Sequence, residues 1–476
     1  MTFNSLQYAL FLPIVLIGYW LVPRRVRQPW LLGASYVFYA FFDVRWALLL
    51  AFTTVVDYNV AKGLENLADR DQGARTPTRR KRLLLVSITV NLGVLGVFKY
   101  FDFFVAQVAD GLSKVGLDAT APALRVLLPF GISFYTFQSI GYTVDVYRGQ
   151  IRACRRPIDF ATFVAYFPQL VAGPISRARN LLPQIEADRS RPSGRQILSG
   201  LLLFLLGLFK KVVIADPLAA IAAKTFGGDP HQGTTAVIVG VLAFALQIYA
   251  DFSGYTDMAR GTSRLLNIEL VHNFDQPYLS RNITEFWRRW HISLSTWLRD
   301  YLYIALGGNR GSKARNYRNL MVTMVLGGLW HGAGWNFVIW GALHGLYLCV
   351  DRIRNAPRGL PDGVPRLRDL PAILVTFALV CVAWIFFRAH TFAEALDVLR
   401  GLLRFDGTLP SGADVAIVTA ALVTALTIDL LQRAVLHPLR IALDHAVLTG
   451  ALAGVALASI ILFSGGTATP FIYFQF

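Results

Sequence analysis

Apolar residues in this chain come in about a dozen long runs joined by short polar stretches, a pattern that leaves the bilayer as the natural solvent for the fold. The runs fall at 6–22, 30–43, 46–61, 83–107, 127–147, 158–172, 197–221, 235–255, 318–350, 370–387, 412–431 and 445–464. A helical crossing needs roughly 20 apolar residues, so the chain has room for about ten or more transmembrane helices. Runs that are short or interrupted by Gly and Pro are read as re-entrant segments. Composition agrees: 55% of the residues are hydrophobic and 16% charged, at a mean hydropathy of +0.48. The expectation is an all-α polytopic membrane protein in which residues 1–476 form a single membrane-embedded domain.

Loop charge sets the expected orientation. Arg24, Arg25 and Arg27, then Arg75, Arg79, Arg80, Lys81 and Arg82, then Arg152, Arg155 and Arg156 cluster in alternate loops. The loops between them hold little basic charge (Arg45, Lys114, Arg125). By the positive-inside rule the basic loops face the cytoplasm and both termini lie outside it. The run 6–22 has no basic segment before it and no small-residue cleavage site after it, so it reads as a retained helix with the mature chain starting near Met1.

A formal net charge of +17 raises the question of nucleic acid, but the basic residues sit in loops between apolar spans, where anionic lipid headgroups account for them. The partners expected from charge are therefore membrane lipids and not nucleic acid. Cys154, Cys349 and Cys381 make no Cys-x-x-Cys pair, His272, His291 and His331 are widely dispersed, and no His-Glu-x-x-His occurs. Neither a disulfide framework nor a metal site is indicated. Serine-hydrolase elbows and phosphate-binding glycine loops are also missing.

Polar groups at membrane depth are costly, so those embedded in apolar runs are functional candidates. Four places qualify. In 128–138, Pro129 and Gly131 interrupt a span and Ser133, Tyr135, Thr136 and Gln138 follow, as in a broken helix that lines a cavity. In 166–174, a run too short to cross ends at Gly173 and Pro174 and reads as re-entrant, or as a surface helix. In 247–257, Tyr249 precedes Asp251 and Asp257 at the inner end of a span; the carboxylates suit a coupling ion, or pairing with surrounding arginines and capping.

Between the third and fourth places lies 282–301, where Ile283, Phe286, Trp287, Trp290, Leu294, Trp297, Leu298 and Tyr301 recur at helical spacing while Arg288, Arg289 and Arg299 fall off that stripe. This predicts one amphipathic helix on the cytoplasmic face. At 100° per residue His291 falls at the stripe's edge, facing a cavity or bonding a neighbouring helix. The fourth place is 326–336. Here His331 sits among Gly327, Gly328, Gly332 and Gly334, with Trp330 and Trp335 to wall a dry pocket and Asn336 following. An imidazole there can accept a proton from an attacking hydroxyl and return it to a leaving group; a core histidine packed on tryptophan fits the same spacing.

These segments, together with Leu329-Trp330-His331-Gly332 and Phe286-Trp287-Arg288-Arg289-Trp290-His291, resemble the membrane-bound O-acyltransferase family, in its bacterial branch of alginate O-acetyltransferases and related cell-wall enzymes. The resemblance runs to about Val350, with 83–350 the most family-like core. It implies a ring of helices around a thin centre and transfer of an acyl group from a thioester to a hydroxyl. It also implies an essential histidine at His331 and a second active-site histidine at His291.

On that footing the expected activity is O-acetyl transfer in a bacterial inner membrane. No cofactor is bound, and the donor is acetyl-CoA or another acyl thioester, a carrier-protein thioester included. The acceptor is an extracytoplasmic glycan, as in alginate or another exopolysaccharide, a cell-wall polymer, or an acetylation partner protein that relays the group. Trp330, Asn336, Arg288, Arg289, Gln138 and Tyr249 are the expected substrate-binding residues. Backbone N–H groups near Gly332 and Gly334, or the Asn336 amide, are candidates to stabilise an oxyanion. Rival readings from other classes are a secondary transporter, for which related halves are lacking, and a non-catalytic scaffold of a polysaccharide-secretion complex.

Overall fold

The computed structural model describes residues 1–70, 77–117, 128–171, 173–227, 232–354, 364–405, 407–434, 445–465 and 469–474. Arg75 of the basic loop, Arg125, Ala172 and the last two residues of the chain lie outside them. Helices make up the described regular structure, with one isolated bridge between Gln232 and Thr408. Among the described residues seven helices are long and apolar enough to cross a bilayer, and Leu6–Leu21 is a shorter apolar one.

Met1–Ile197 with Thr262–Val271 form one compact unit. Its helices are α1 (Leu6–Leu21), α2 (Arg24–Ala40), α3 (Val44–Arg70), α4 (Pro77–Leu95), α5 (Phe101–Lys114), α6 (Ile132–Tyr147), α7 (Pro157–Ala165), α8 (Phe167–Leu170) and α9 (Ala178–Glu186). Helices α3, α4 and α6 pack on one another around a buried polar cluster. There Asp57 accepts from Ser87 Oγ at 2.6 Å and Asn91 Nδ2 at 2.9 Å, and Ser87 meets Thr143 at 3.1 Å. The Asp57 carboxylate is thus met by donors from a neighbouring helix, which offsets the cost of burying it.

Gly131 marks a helix start rather than a mid-span break. It sits at φ 77° ahead of α6, and the described residues before it, 128–130, are not helical. Only glycine suits the spot, because a Cβ there would lie 2.4 Å from the Leu170 carbonyl oxygen. The stretch 166–171 is buried, which removes the surface-helix alternative. Tyr166 is fully enclosed and its hydroxyl meets Ser263 at 2.8 Å.

Leu198–Gly261 with His272–Phe476 form the second unit. It holds most of α10 (Gly194–Phe209), then α11 (Asp216–Thr225), most of α12 (Thr234–Leu265), α13 (Ile283–Arg289), α14 (Ile292–Trp297), α15 (Lys313–His331), α16 (Trp335–Arg354), α17 (Leu370–Arg388), α18 (Phe392–Gly401), α19 (Gly412–Ala434) and α20 (Ala446–Phe463). Short polar side chains start several of these. Asn282, Ser312 and Thr391 accept from the N–H three residues on, satisfying a donor the helix leaves free. The run 318–350 is a hairpin of α15 and α16 that turns at Gly332 and Gly334. Close approach is built into it: a Cβ on Gly341 would lie 2.3 Å from the Met324 carbonyl oxygen, and one on Gly328 2.1 Å from that of Phe337.

Candidate active site

The predicted continuous helix over 282–301 is divided. Helix α13 ends at Arg289, His291 takes φ 42°, α14 starts at Ile292, and a π turn follows at Leu298–Tyr303. A left-handed histidine is unfavourable by about 1–2 kcal/mol, so neighbouring contacts must hold it. The irregular stretch before α13 supplies them. Asn273 accepts the Ile292 N–H at 2.9 Å through its carbonyl and the Ser293 N–H at 3.1 Å through its side chain, while the Asp275 N–H donates to the Arg289 carbonyl at 3.0 Å.

Arg289 reinforces the same joint. Its guanidinium pairs with Glu285 at 3.0 Å and Asp275 at 2.6 Å, and its side chain is 5% exposed. The expectation that Arg289 points off the buried stripe toward donor or lipid is therefore corrected: Asp275, from the segment before α13, and Glu285, one turn back on α13, enclose its guanidinium. Arg288 and Arg299 are exposed as expected, and Arg299 pairs with its neighbour Asp300 at 2.7 Å.

His331 ends α15 and is buried within an aromatic box. Its ring centroid lies 4.9 Å from Trp330, 4.9 Å from Trp340, 5.1 Å from Phe387 and 5.6 Å from Tyr473. His291 is fully enclosed, 4.7 Å from Phe252, 6.0 Å from Trp330 and 6.4 Å from Tyr473. Trp330 and Tyr473 thus touch both histidines and join them into one site. Burial pushes the His291 imidazole down to about 3, keeping it neutral through the physiological range.

The remaining candidates divide. Trp330 is in the box, whereas Trp335 is 58% exposed. Asn336 is buried with its Nδ2 donating to the Ala389 carbonyl at 2.8 Å, and Gly334 N–H donates to the Gly332 carbonyl at 3.1 Å. Two of the proposed oxyanion donors are thereby engaged in holding the turn. Tyr249 lies behind the site: its ring is 6.2 Å from Trp290 and its hydroxyl donates to Asp429 at 2.7 Å. Gln138 belongs to the first unit, where its Nε2 donates to the Phe163 carbonyl at 2.7 Å. Asp251 and Asp257 are paired as expected of structural carboxylates, chiefly with lysines: Asp251 with Lys211 at 2.9 Å, and Asp257 with Lys210 at 2.7 Å and Arg260 at 3.4 Å.

Two contributors escaped sequence reasoning. His344, one turn beyond Trp340 on α16, is buried, stands 4.8 Å from that ring and accepts from Trp287 Nε1 at 3.2 Å. The i, i+4 spacing of Trp340 and His344 was the available signal. Tyr473, in the final apolar segment, carried no local signal. Among the described residues no group of three or more His, Cys, Asp or Glu side chains could hold a metal ion.

Residues 155–354 match the model of MBOAT, the membrane-bound O-acyltransferase family, a span that contains both histidines. The chain is 45% identical over 413 residues to a probable alginate O-acetylase of Azotobacter vinelandii, covering 86% of this chain and 79% of that protein. The chain belongs to the membrane-bound O-acyltransferase family. Within it the chain falls in the alginate O-acetyltransferase-like branch. It is 38% identical over 431 residues to a peptidoglycan O-acetyltransferase of Helicobacter pylori, covering 83% of this chain and 78% of that one. A teichoic acid D-alanyltransferase of Streptococcus thermophilus is more distant, 28% identical over 306 residues, or 58% and 72% of the two chains. The protein is thus a multi-pass membrane O-acyltransferase.

Proposed function

We propose that the protein moves an acetyl group from a cytoplasmic thioester, acetyl-CoA or an acyl carrier, to a hydroxyl of an extracytoplasmic polysaccharide or of a partner protein that relays it. It would act as one catalytic domain in the bacterial inner membrane with both termini outside the cytoplasm, and with no bound cofactor. The observation that carries this reading is the pair His291 and His331, joined through Trp330 and Tyr473 in a buried aromatic box.

His331 is the general base. It takes the acceptor's O–H proton as the oxygen attacks the thioester carbonyl, the C–S bond breaks, and the imidazolium returns the proton to the departing thiolate. His291, held neutral by burial, serves as the second imidazole of a largely aromatic site. Surrounding rings exclude water, which would compete as acceptor and hydrolyse the thioester. Identity to the acetylases, at 38% and 45%, exceeds that to the D-alanyltransferase and favours acetyl over alanyl. The test is transfer from labelled acetyl-CoA to candidate acceptors by purified wild type and His331→Ala. Loss in the variant supports the assignment, and full acetylation by it would defeat the reading.

A further inference from the structure

The segment 469–474 is tied down through the backbone and hydroxyl of Thr469 and the backbone of Ile472. Lys211, in the π turn Lys210–Ala215, has a side chain only 1% exposed, and its ammonium makes four contacts. It pairs with Asp251 at 2.9 Å and Asp216 at 2.8 Å, and donates to the Thr469 carbonyl at 2.9 Å and Thr469 Oγ1 at 3.2 Å. Thr469 Oγ1 also bonds Asp216, and the Ile472 N–H donates to Asp251 at 2.6 Å.

A buried ammonium and two carboxylates are expensive unless every proton and lone pair is used. Here much of that capacity is spent on the backbone and hydroxyl of one short segment. The consequence is positional. The Phe471 ring lies tilted 4.2 Å from Tyr255, and the Tyr473 ring lies 4.5 Å from Phe252, 6.4 Å from His291 and 5.6 Å from His331.

Resting on the proposed assignment of the histidines as the active site, we infer that Lys211, Asp251 and Asp216 are positioning residues that clamp the segment 469–474 into the active site as one of its walls. They act through the segment and touch no substrate themselves. Without the clamp, the box around His291 and His331 opens on the side of Tyr473, and water and misaligned acceptors enter.

The experiment compares wild type with Lys211→Met, Asp251→Asn and Lys211→Arg in detergent, using hydrogen exchange of the peptide covering 469–474 and acetyl-CoA turnover. Lys211→Met and Asp251→Asn should speed exchange in that peptide alone, and lower kcat by about tenfold or more with KM for acetyl-CoA within about threefold, since misplacement costs rate more than binding. Lys211→Arg, which keeps the charge, should restore protection and most of the turnover. Deletion of 469–476 leaves the Lys211–Asp251 pair intact and should give the same fall in kcat, which covers the case of a lysine variant that does not fold. A segment that stays protected in Lys211→Met, or one that loosens with kcat unchanged, would overturn the inference. Full turnover by His331→Ala would instead overturn the active-site assignment and leave the exchange result standing.

Discussion

Replacing Arg289 by Met tests how the chain holds His291 in its left-handed turn. Arg289 Nε faces Glu285, whose side chain is 2% exposed, and its Nη1 faces Asp275, which is 39% exposed. Removing one partner of a buried pair typically costs about 3–5 kcal/mol, because the other charge is left without compensation. The half-open Asp275 contact adds little, since exposed pairs contribute under about 1 kcal/mol. Glu285 still accepts from the Arg281 N–H at 3.0 Å, so the lower end of the range applies, about 3 kcal/mol or roughly a hundredfold in the unfolding constant. Reversible unfolding by SDS in mixed micelles reads that change directly. Arg299→Met is the control: its residue is exposed, and it should shift stability by no more than about 0.5 kcal/mol. Arg289→Met as stable as Arg299→Met would refute the assignment of Arg289 as the brace of this turn.

Three further outcomes follow from the same geometry. Burial lowers His291 from an unfolded value near 6.5 to about 3, so the unfolded chain takes the proton first; its contribution to stability is full above about pH 6.5 and lost as pH falls toward 3, which His291→Phe should abolish in a pH series of unfolding midpoints. Gly341→Ala drives a Cβ into the backbone at Met324 and Val325 and should destabilise by about 1–3 kcal/mol, whereas Gly93→Ala, with nothing within 4 Å, should be neutral or stabilising in the same titration. Lys211→Met should loosen 469–474 while the rest of the protein keeps its protection, as hydrogen exchange will show.

The helical fold was legible because apolar runs of span length are imposed by the bilayer, and their ends fall close to the helices seen, as at 370–387 against Leu370–Arg388. The glycines around His331 were equally plain, but 318–350 read as one apolar run, and its folding as the α15–α16 hairpin shows only in the structure. The break at His291 was not, since the 3.6-residue period runs straight through 283–301 and the turn is imposed by Asn273, Asp275 and Arg289 through contacts that periodicity does not encode. Tyr473 was invisible for a related reason. Its place beside His291 and His331 depends on Lys211 and Asp251, more than two hundred residues upstream, and an apolar terminal segment looks the same whether it sits on lipid or in an active site. Gln138 and Tyr249 were picked out as buried polar groups in apolar runs; Gln138 bonds the Phe163 carbonyl within the first unit, and Tyr249 bonds Asp429 within the second.

The central claim is that His331 carries the transfer. Purified wild type and His331→Ala, matched for folding by unfolding midpoint, would be given labelled acetyl-CoA with glycan and protein acceptors. The account predicts acceptor labelling by wild type and a fall of about 10²-fold or more in the variant, the usual contribution of a positioned general base. Equal labelling by the two proteins would contradict it.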